Sequence, residues 1–193
     1  MTVSTIKSII EAAIFAAEDP LTVAKLLELF PESGRPEKSV LISTLEELTE
    51  DYQQRGVELV CVASGYRFQA RSQYADWLKR LWQQRTPRYS RALLETLALI
   101  AYKQPLTRGE IEQVRGVAVS SNIVKTLLDR EWVKVVGHRD VPGKPALLAT
   151  TKSFLDYFNL QSLTDLPSLS ELINIEELAQ QMGVAVPEAK ENE

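Results

Sequence analysis

Two stretches of the chain repeat each other. "IFAAEDPLT", from Ile14 to Thr22, returns as "LIAYKQPLT", from Leu99 to Thr107. The constant offset places Pro20 on Pro105, Leu21 on Leu106, Thr22 on Thr107 and Ala16 on Ala101. An apolar helical pattern precedes each copy, and two further helical segments follow it. Solenoid repeats are shorter than this spacing, at roughly 20–50 residues. The repeat therefore implies two copies of one small domain, which a chain of 193 residues can hold.

Each copy carries the same order of signals. In the first, Ile6, Ile10, Ala13, Ile14 and Ala17 recur at helical spacing. Pro20 closes that helix, and Thr22 opens a second through Leu26, Leu27 and Phe30. The turn "PESGRP" leads to a third helix lined by Leu41, Leu45, Leu48 and Tyr52. "VELVCVA" and "YRFQA" then alternate as two strands joined at Ser64-Gly65. In the second copy Ser90 caps a helix through Tyr102. Thr107 caps the next, Glu110 completes a capping box, and Gly116 is placed to end it in a left-handed conformation. A third helix starts at Ser120 or Ser121 and runs to Arg130. "WVKVVG" and "PALLATT" are strands, and "HRDVPGK" between them is a wing loop. Three helices followed by a hairpin is the winged-helix plan. The expected fold class is mainly α with small β-hairpins (α+β), as two tandem winged-helix domains.

The expected domains span residues 1–72 and 91–167. Residues 73–90 hold a connecting helix from Gln73 to Gln84, with Tyr74, Trp77, Leu78 and Leu81 on one face, and the linker "RTPRYS". Residues 168–193 hold an amphipathic segment with Ile175, Leu178, Ala179 and Met182 on one stripe, and an acidic tail, "VPEAKENE", of disordered composition.

Composition excludes several functions. One cysteine, Cys61, rules out an internal disulfide and fits a reducing compartment, so the expected location is the cytoplasm. The longest uncharged apolar run, Leu97 to Tyr102, is far short of the roughly 20 residues that span a membrane. Glu11 interrupts the N-terminal apolar stretch, which reads as a mature start and not a signal peptide. With one histidine, one cysteine and no Gly-rich phosphate loop, the chain offers no catalytic constellation, no metal site and no cofactor site. His138 reads as a surface histidine and Cys61 as a small core residue.

The net charge of −4 hides a pattern. Residues 1–60 hold 5 Lys/Arg against 11 Asp/Glu, residues 61–160 hold 16 against 8, and residues 161–193 hold 1 against 7. A basic middle between acidic ends suits nucleic acid, or acidic and basic surfaces meeting in an assembly. The first copy's third helix carries Glu37, Glu46, Glu47, Glu50 and Asp51, which repel a phosphate backbone. The second copy's third helix offers Asn122, Lys125 and Arg130 beside Asp129, a weak set for reading bases. Non-specific DNA contact stays open, and a winged-helix transcriptional regulator is the rival reading. Two helices point to proteins instead. Arg91–Tyr102 is apolar on most faces, and in Ile6–Ala17 the side chains Ile9, Phe15 and Ala16 lie off the main stripe. Such helices need a second cover, from within the chain or from a partner.

The runs "ALLETLALIAYKQPLTRGEIEQVRGV" and "VKTLLDREWVKVVGHRDVPGKPALLATTKSFLDYFNLQSLTDLP" closely resemble the segregation and condensation protein B (ScpB) family, over roughly residues 91–167. The resemblance implies a non-catalytic accessory subunit of the bacterial SMC–kleisin complex, which compacts and segregates chromosomes. It implies a homodimer joined largely through the first domain and bound to the kleisin ScpA largely through the second. Through ScpA it would reach the SMC ATPase and the nucleoid. On this reading the candidate partner-binding residues are Leu94, Leu97, Tyr102, Pro105, Arg108, Val141, Pro142, Phe154 and Phe158. Ile6, Ile9 and Phe15 are the candidate dimer contacts.

Overall fold

The computed structural model describes residues 2–81 and 89–168. The chain divides into two compact units, residues 1–85 and 86–193.

The first unit opens on α1 (Val3–Ala16), capped by the Thr2 hydroxyl, which accepts the Thr5 N–H. Ile6, Ile10 and Ile14, four residues apart, face inward and are buried. Thr22 caps α2 (Val23–Glu28) by accepting the Lys25 N–H, and Leu26 and Phe30 close over the same core. α3 (Lys38–Asp51) contributes Leu41, Leu45 and Leu48. Thr44 shares that buried face because its hydroxyl donates to the Val40 carbonyl at 2.7 Å, so it goes inward satisfied. β1 (Val57–Val62) and β2 (Gly65–Ala70) form an antiparallel pair, with Leu59 in the core.

The repeated "PLT" turn is sewn to this hairpin. Leu21 N–H donates to the Tyr66 carbonyl, and Tyr66 N–H donates to the Leu21 carbonyl, each at 2.9 Å. Backbones come this close only because residue 65 is glycine. Its φ is +131°, and a Cβ built there would lie 2.3 Å from the Leu21 carbonyl oxygen.

After the hairpin the expected helix from Gln73 is shorter than its stripe suggests. A 3-10 turn (Ser72–Tyr74) leads into α4 (Ala75–Leu78), where Trp77 and Leu81 stand in solvent at 65% and 71% exposure. Tyr74 lies over Gly56. The rest of that expected helix, the "RTPRYS" linker up to Arg88 and the tail from residue 169 lie outside the described residues.

The second unit repeats the order. Ser90 caps α5 (Arg91–Lys103). Next come β3 (Leu106–Thr107), α6 (Arg108–Arg115) and α7 (Ser121–Asp129). β4 (Val133–His138), β5 (Ala146–Thr150) and α8 (Lys152–Tyr157) complete it. Both halves of the capping box form at Thr107 and Glu110, and Gly116 ends α6 at φ 70°. The sheet order is β3-β5-β4, antiparallel throughout. Leu106, the repeat equivalent of Leu21, pairs with Leu148, so the "PLT" turn meets the hairpin in both units.

The core gathers Leu93, Leu97 and Ile100 from α5, with Ile111, Val119, Leu127, Val133 and Leu148. One end is aromatic. Trp132 packs on Tyr89, Tyr157 and Phe158 with ring centroids 4.6–5.4 Å apart, and Phe154 meets Phe158 at 5.0 Å. Burial, then the hydrogen bond with Tyr157, pushes the Tyr89 phenol up to about 12. No helix among the described residues is long and apolar enough to cross a membrane.

Candidate partner-binding site

The turn between α5 and α6 is held rigid by side chains that bond backbone. Gln104 accepts the Thr150 N–H at 2.7 Å and donates to the Thr150 hydroxyl at 3.0 Å, fixing the end of α5 to β5. Pro105 follows, exposed, and then the Glu110 carboxylate accepts the Thr107 N–H at 2.7 Å. The same carboxylate holds Arg139 of the wing loop. The Thr107 backbone bond, then the Thr107 hydroxyl and Arg139, outweigh partial desolvation and hold Glu110 below its usual range. Glu112 is lowered for similar reasons, by the Val119 N–H and then Arg108, and so ties α6 to the start of α7. Beside them, burial pushes Glu95 up, but hydrogen bonds from Arg115 and Arg91 outweigh it, and its pKa is lowered.

On this frame the sequence candidates fall into two groups. Pro105, Arg108, Val141 and Pro142 are exposed, and Leu94 and Tyr102 are half-buried. Leu97, Phe154 and Phe158 are interior, at 3%, 1% and 6% exposure. These three correct the picture of a row of contact residues, because a side chain packed in the core has no face left for a partner. They shape the surface from beneath. The over-apolar α5 takes much of its cover from its own chain. Phe154 and Phe158 lie in one core with it, Leu160 and Leu166 pack against that core, and the Tyr102 hydroxyl donates to the Pro167 carbonyl at 2.6 Å.

The first unit shows the same division. Ile6 is core at 6% exposure, which again corrects its reading as a contact, and Ile9 is half-buried. Phe15 is 77% exposed, with only its edge near Phe68 at 6.5 Å between centroids. Ala12 and Ala16 beside it are also exposed, so α1 presents an open apolar strip.

Of the cations expected on a DNA-reading surface, Arg130 and Arg139 are occupied, while Lys125 and Lys144 are exposed. Arg130 lies over the Tyr89 ring at 4.8 Å and near the Trp132 ring at 5.5 Å. Arg139 and Arg108 are paired with Glu110 and Glu112. Lys7 bridges Glu47 and Asp51 on α3, whose outer face keeps its acidic surface. His138 is exposed at the end of β4, and Cys61 is half-buried opposite Tyr66. Among the described residues no group of three His, Cys, Asp or Glu side chains is placed to hold a metal ion. Sequence reasoning missed the stacking of Arg130 and the pairing of Leu21 and Leu106 with the hairpins. Trp132, two residues after Arg130, was the available signal for the first. Backbone pairing of a short turn leaves none.

Comparison with known proteins extends the match beyond the second unit. The family described as segregation and condensation complex subunit ScpB matches residues 8–169. A segregation and condensation protein B homolog of Coxiella burnetii is 60% identical over 177 residues, covering 92% of this chain and 85% of the relative. The segregation and condensation protein B of Syntrophotalea carbinolica is 43% identical over 172 residues, covering 88% and 85%. A crystal structure of ScpB from Mycobacterium tuberculosis is 30% identical and covers 83% of this chain and 98% of its own, with a TM-score of 0.39. With a match that runs through both copies of the repeat, the chain belongs to the ScpB family of segregation and condensation complex subunits.

Proposed function

We propose that the chain is the non-catalytic ScpB subunit of a bacterial SMC–kleisin complex, acting at the nucleoid as a homodimer of paired winged-helix domains that binds the kleisin ScpA. The family match through residues 8–169 carries this reading. The surfaces support it. α1 offers an open strip centred on Phe15 for a second copy. The second unit offers a rigid face made of the outward side of α5, the turn Gln104–Arg108 and the wing residues Val141 and Pro142. The mechanism is scaffolding: a braced turn and wing present a preformed surface, so a flexible ScpA segment bears most of the ordering cost.

Size-exclusion chromatography with light scattering, with and without co-expressed ScpA, tests this. The expected result is a dimer alone and a complex holding two copies of this chain. Phe15→Asp is expected to give monomers that remain folded. Arg108→Glu with Val141→Asp is expected to remove ScpA while leaving dimers. A folded chain that ignores ScpA and shifts duplex DNA with base preference would establish the regulator reading instead.

A further inference from the structure

The two units differ at one strand. In the first, β1 buries Leu59 and Val62, and Glu58, Val60 and Cys61 are half-buried. β4 holds the same place in the second, directly after the third helix, yet Lys134, Val135, Val136 and His138 are all exposed. The two valines stand at 46% and 48% exposure. The sheet order β3-β5-β4 makes β4 an edge, with a strand on one side only among the described residues. Backbone bonds at both ends of the pairing set its phase. Thr151 N–H donates to the Trp132 carbonyl at 3.1 Å, and Arg139 N–H donates to the Pro145 carbonyl at 2.9 Å. Bonded and open pairs alternate along an antiparallel ladder, so Lys134 and Gly137 also face β5 with their backbone groups. The register shifts between Val135 and Gly137, which leaves Val136 as an extra residue beside Val135, opposite Leu148. Leu148 itself pairs on its other side with Leu106 of β3. Val135 and Val136 thus fall in the open interval, with backbone groups that β5 does not use. An exposed apolar edge of this kind accepts a further strand.

We propose that an extended segment of ScpA adds to β4 as a new edge strand, bonding the backbone of Val135 and Val136. Continuity and charge select this occupant. β4 runs directly into the wing loop, where Val141 and Pro142 are exposed, so a segment crossing the wing continues along the same edge. Lys134 and Lys144 are exposed beside it and suit carboxylates on the added segment. β4 holds a lysine and no carboxylate, so a second copy pairing there would set like charges side by side. The choice of ScpA rests on the proposed wing surface; the open edge does not.

Residue-resolved hydrogen exchange of the full chain, alone and in complex with ScpA, tests it. ScpA is expected to slow the Val135 and Val136 amides about tenfold more than the Lys134 amide, which β5 already holds. Equal slowing at the three positions overturns strand addition while ScpA binding itself stands. The same slowing in the chain alone, as its concentration is raised, overturns the proposal in favour of a second copy. Val136→Pro removes a donor that β5 does not use, a placing that edge strands tolerate. It is expected to weaken ScpA binding about tenfold, whereas Val136→Thr, which keeps the donor, stays within about twofold. Equal affinity of two folded variants would also overturn strand addition. Where exchange is slowed as expected but Arg108→Glu with Val141→Asp leaves ScpA affinity unaltered, the added strand stands and the wing surface fails. A chain that forms no complex with ScpA defeats both.

Discussion

Gly65→Ala probes the contact that both copies of the repeat share. Residue 65 sits at φ +131°, a region that costs a side-chain-bearing residue about 1–3 kcal/mol. The new methyl would also meet the Leu21 carbonyl oxygen at 2.3 Å, the Leu21 carbonyl carbon at 2.4 Å and the Thr22 nitrogen at 2.7 Å. All three are backbone atoms, so no rotamer change relieves the clash. The bridge must open, losing the two Leu21–Tyr66 hydrogen bonds at about 1 kcal/mol net each. Alanine recovers about 0.4–1 kcal/mol by restricting the unfolded chain. The net loss is about 3 kcal/mol. For a unit of this size, with a urea slope of about 1 kcal/mol/M, the midpoint falls by about 3 M. Urea unfolding followed by hydrogen exchange separates the two units, and the second serves as an internal reference. A loss below about 1 kcal/mol would refute the reasoning, because it would mean that the turn and hairpin part without cost.

Four variants of the second unit have outcomes fixed by its packing and its hydrogen bonds. Thr107→Ala removes the cap of α6 and should lower stability by about 1 kcal/mol in urea unfolding. Glu110 and Glu112 have folded pKa values below the ordinary 4.5, so their stabilisation is complete above that value and is lost as pH falls through the depressed values. Denaturation midpoints measured from pH 6 down to pH 3 should therefore fall less steeply in Glu110→Gln than in the parent chain. Leu97→Ala should cost about 3 kcal/mol, as for a leucine buried in a packed core. Val141→Ala on the exposed wing should stay within about 0.5 kcal/mol in the same assay.

Local signals were readable in the sequence because their causes are local. Thr107, Glu110 and Gly116 announce the ends of α6 through groups within a few residues of each other. The isoleucine and leucine spacing marks α1 and α3 because only one face of each meets the core. The excess apolarity of α5 was visible too, but its cover was not. Leu97 and Phe154 look alike as sequence whether a partner or the chain itself buries them. Only the return of α8 and the strap to α5 decides, and that contact joins residues some 60 apart. Phe15 shows the opposite outcome: Phe68 meets only its edge, and it stays 77% exposed.

The same distinction explains why this plan of three helices and a hairpin suits protein contact better than base reading. A reader needs cations free to meet phosphates, aligned along one path. Among the ten Lys and Arg of residues 89–168, Arg91, Arg108, Arg115 and Arg139 are held by glutamates, and Arg130 is stacked on aromatic rings. The remaining five are lysines: Lys103 on α5, Lys125 on α7, Lys134 on β4, Lys144 in the wing loop and Lys152 on α8. They are scattered over five segments. The arginines are spent on bracing the turn, α6 and the wing against one another. Recruiting them to DNA would strip Glu95, Glu110 and Glu112 of their partners and loosen the surface they hold. A subunit that must present one fixed face to a flexible partner gains from that bracing, whereas a DNA reader would lose the charges it binds with.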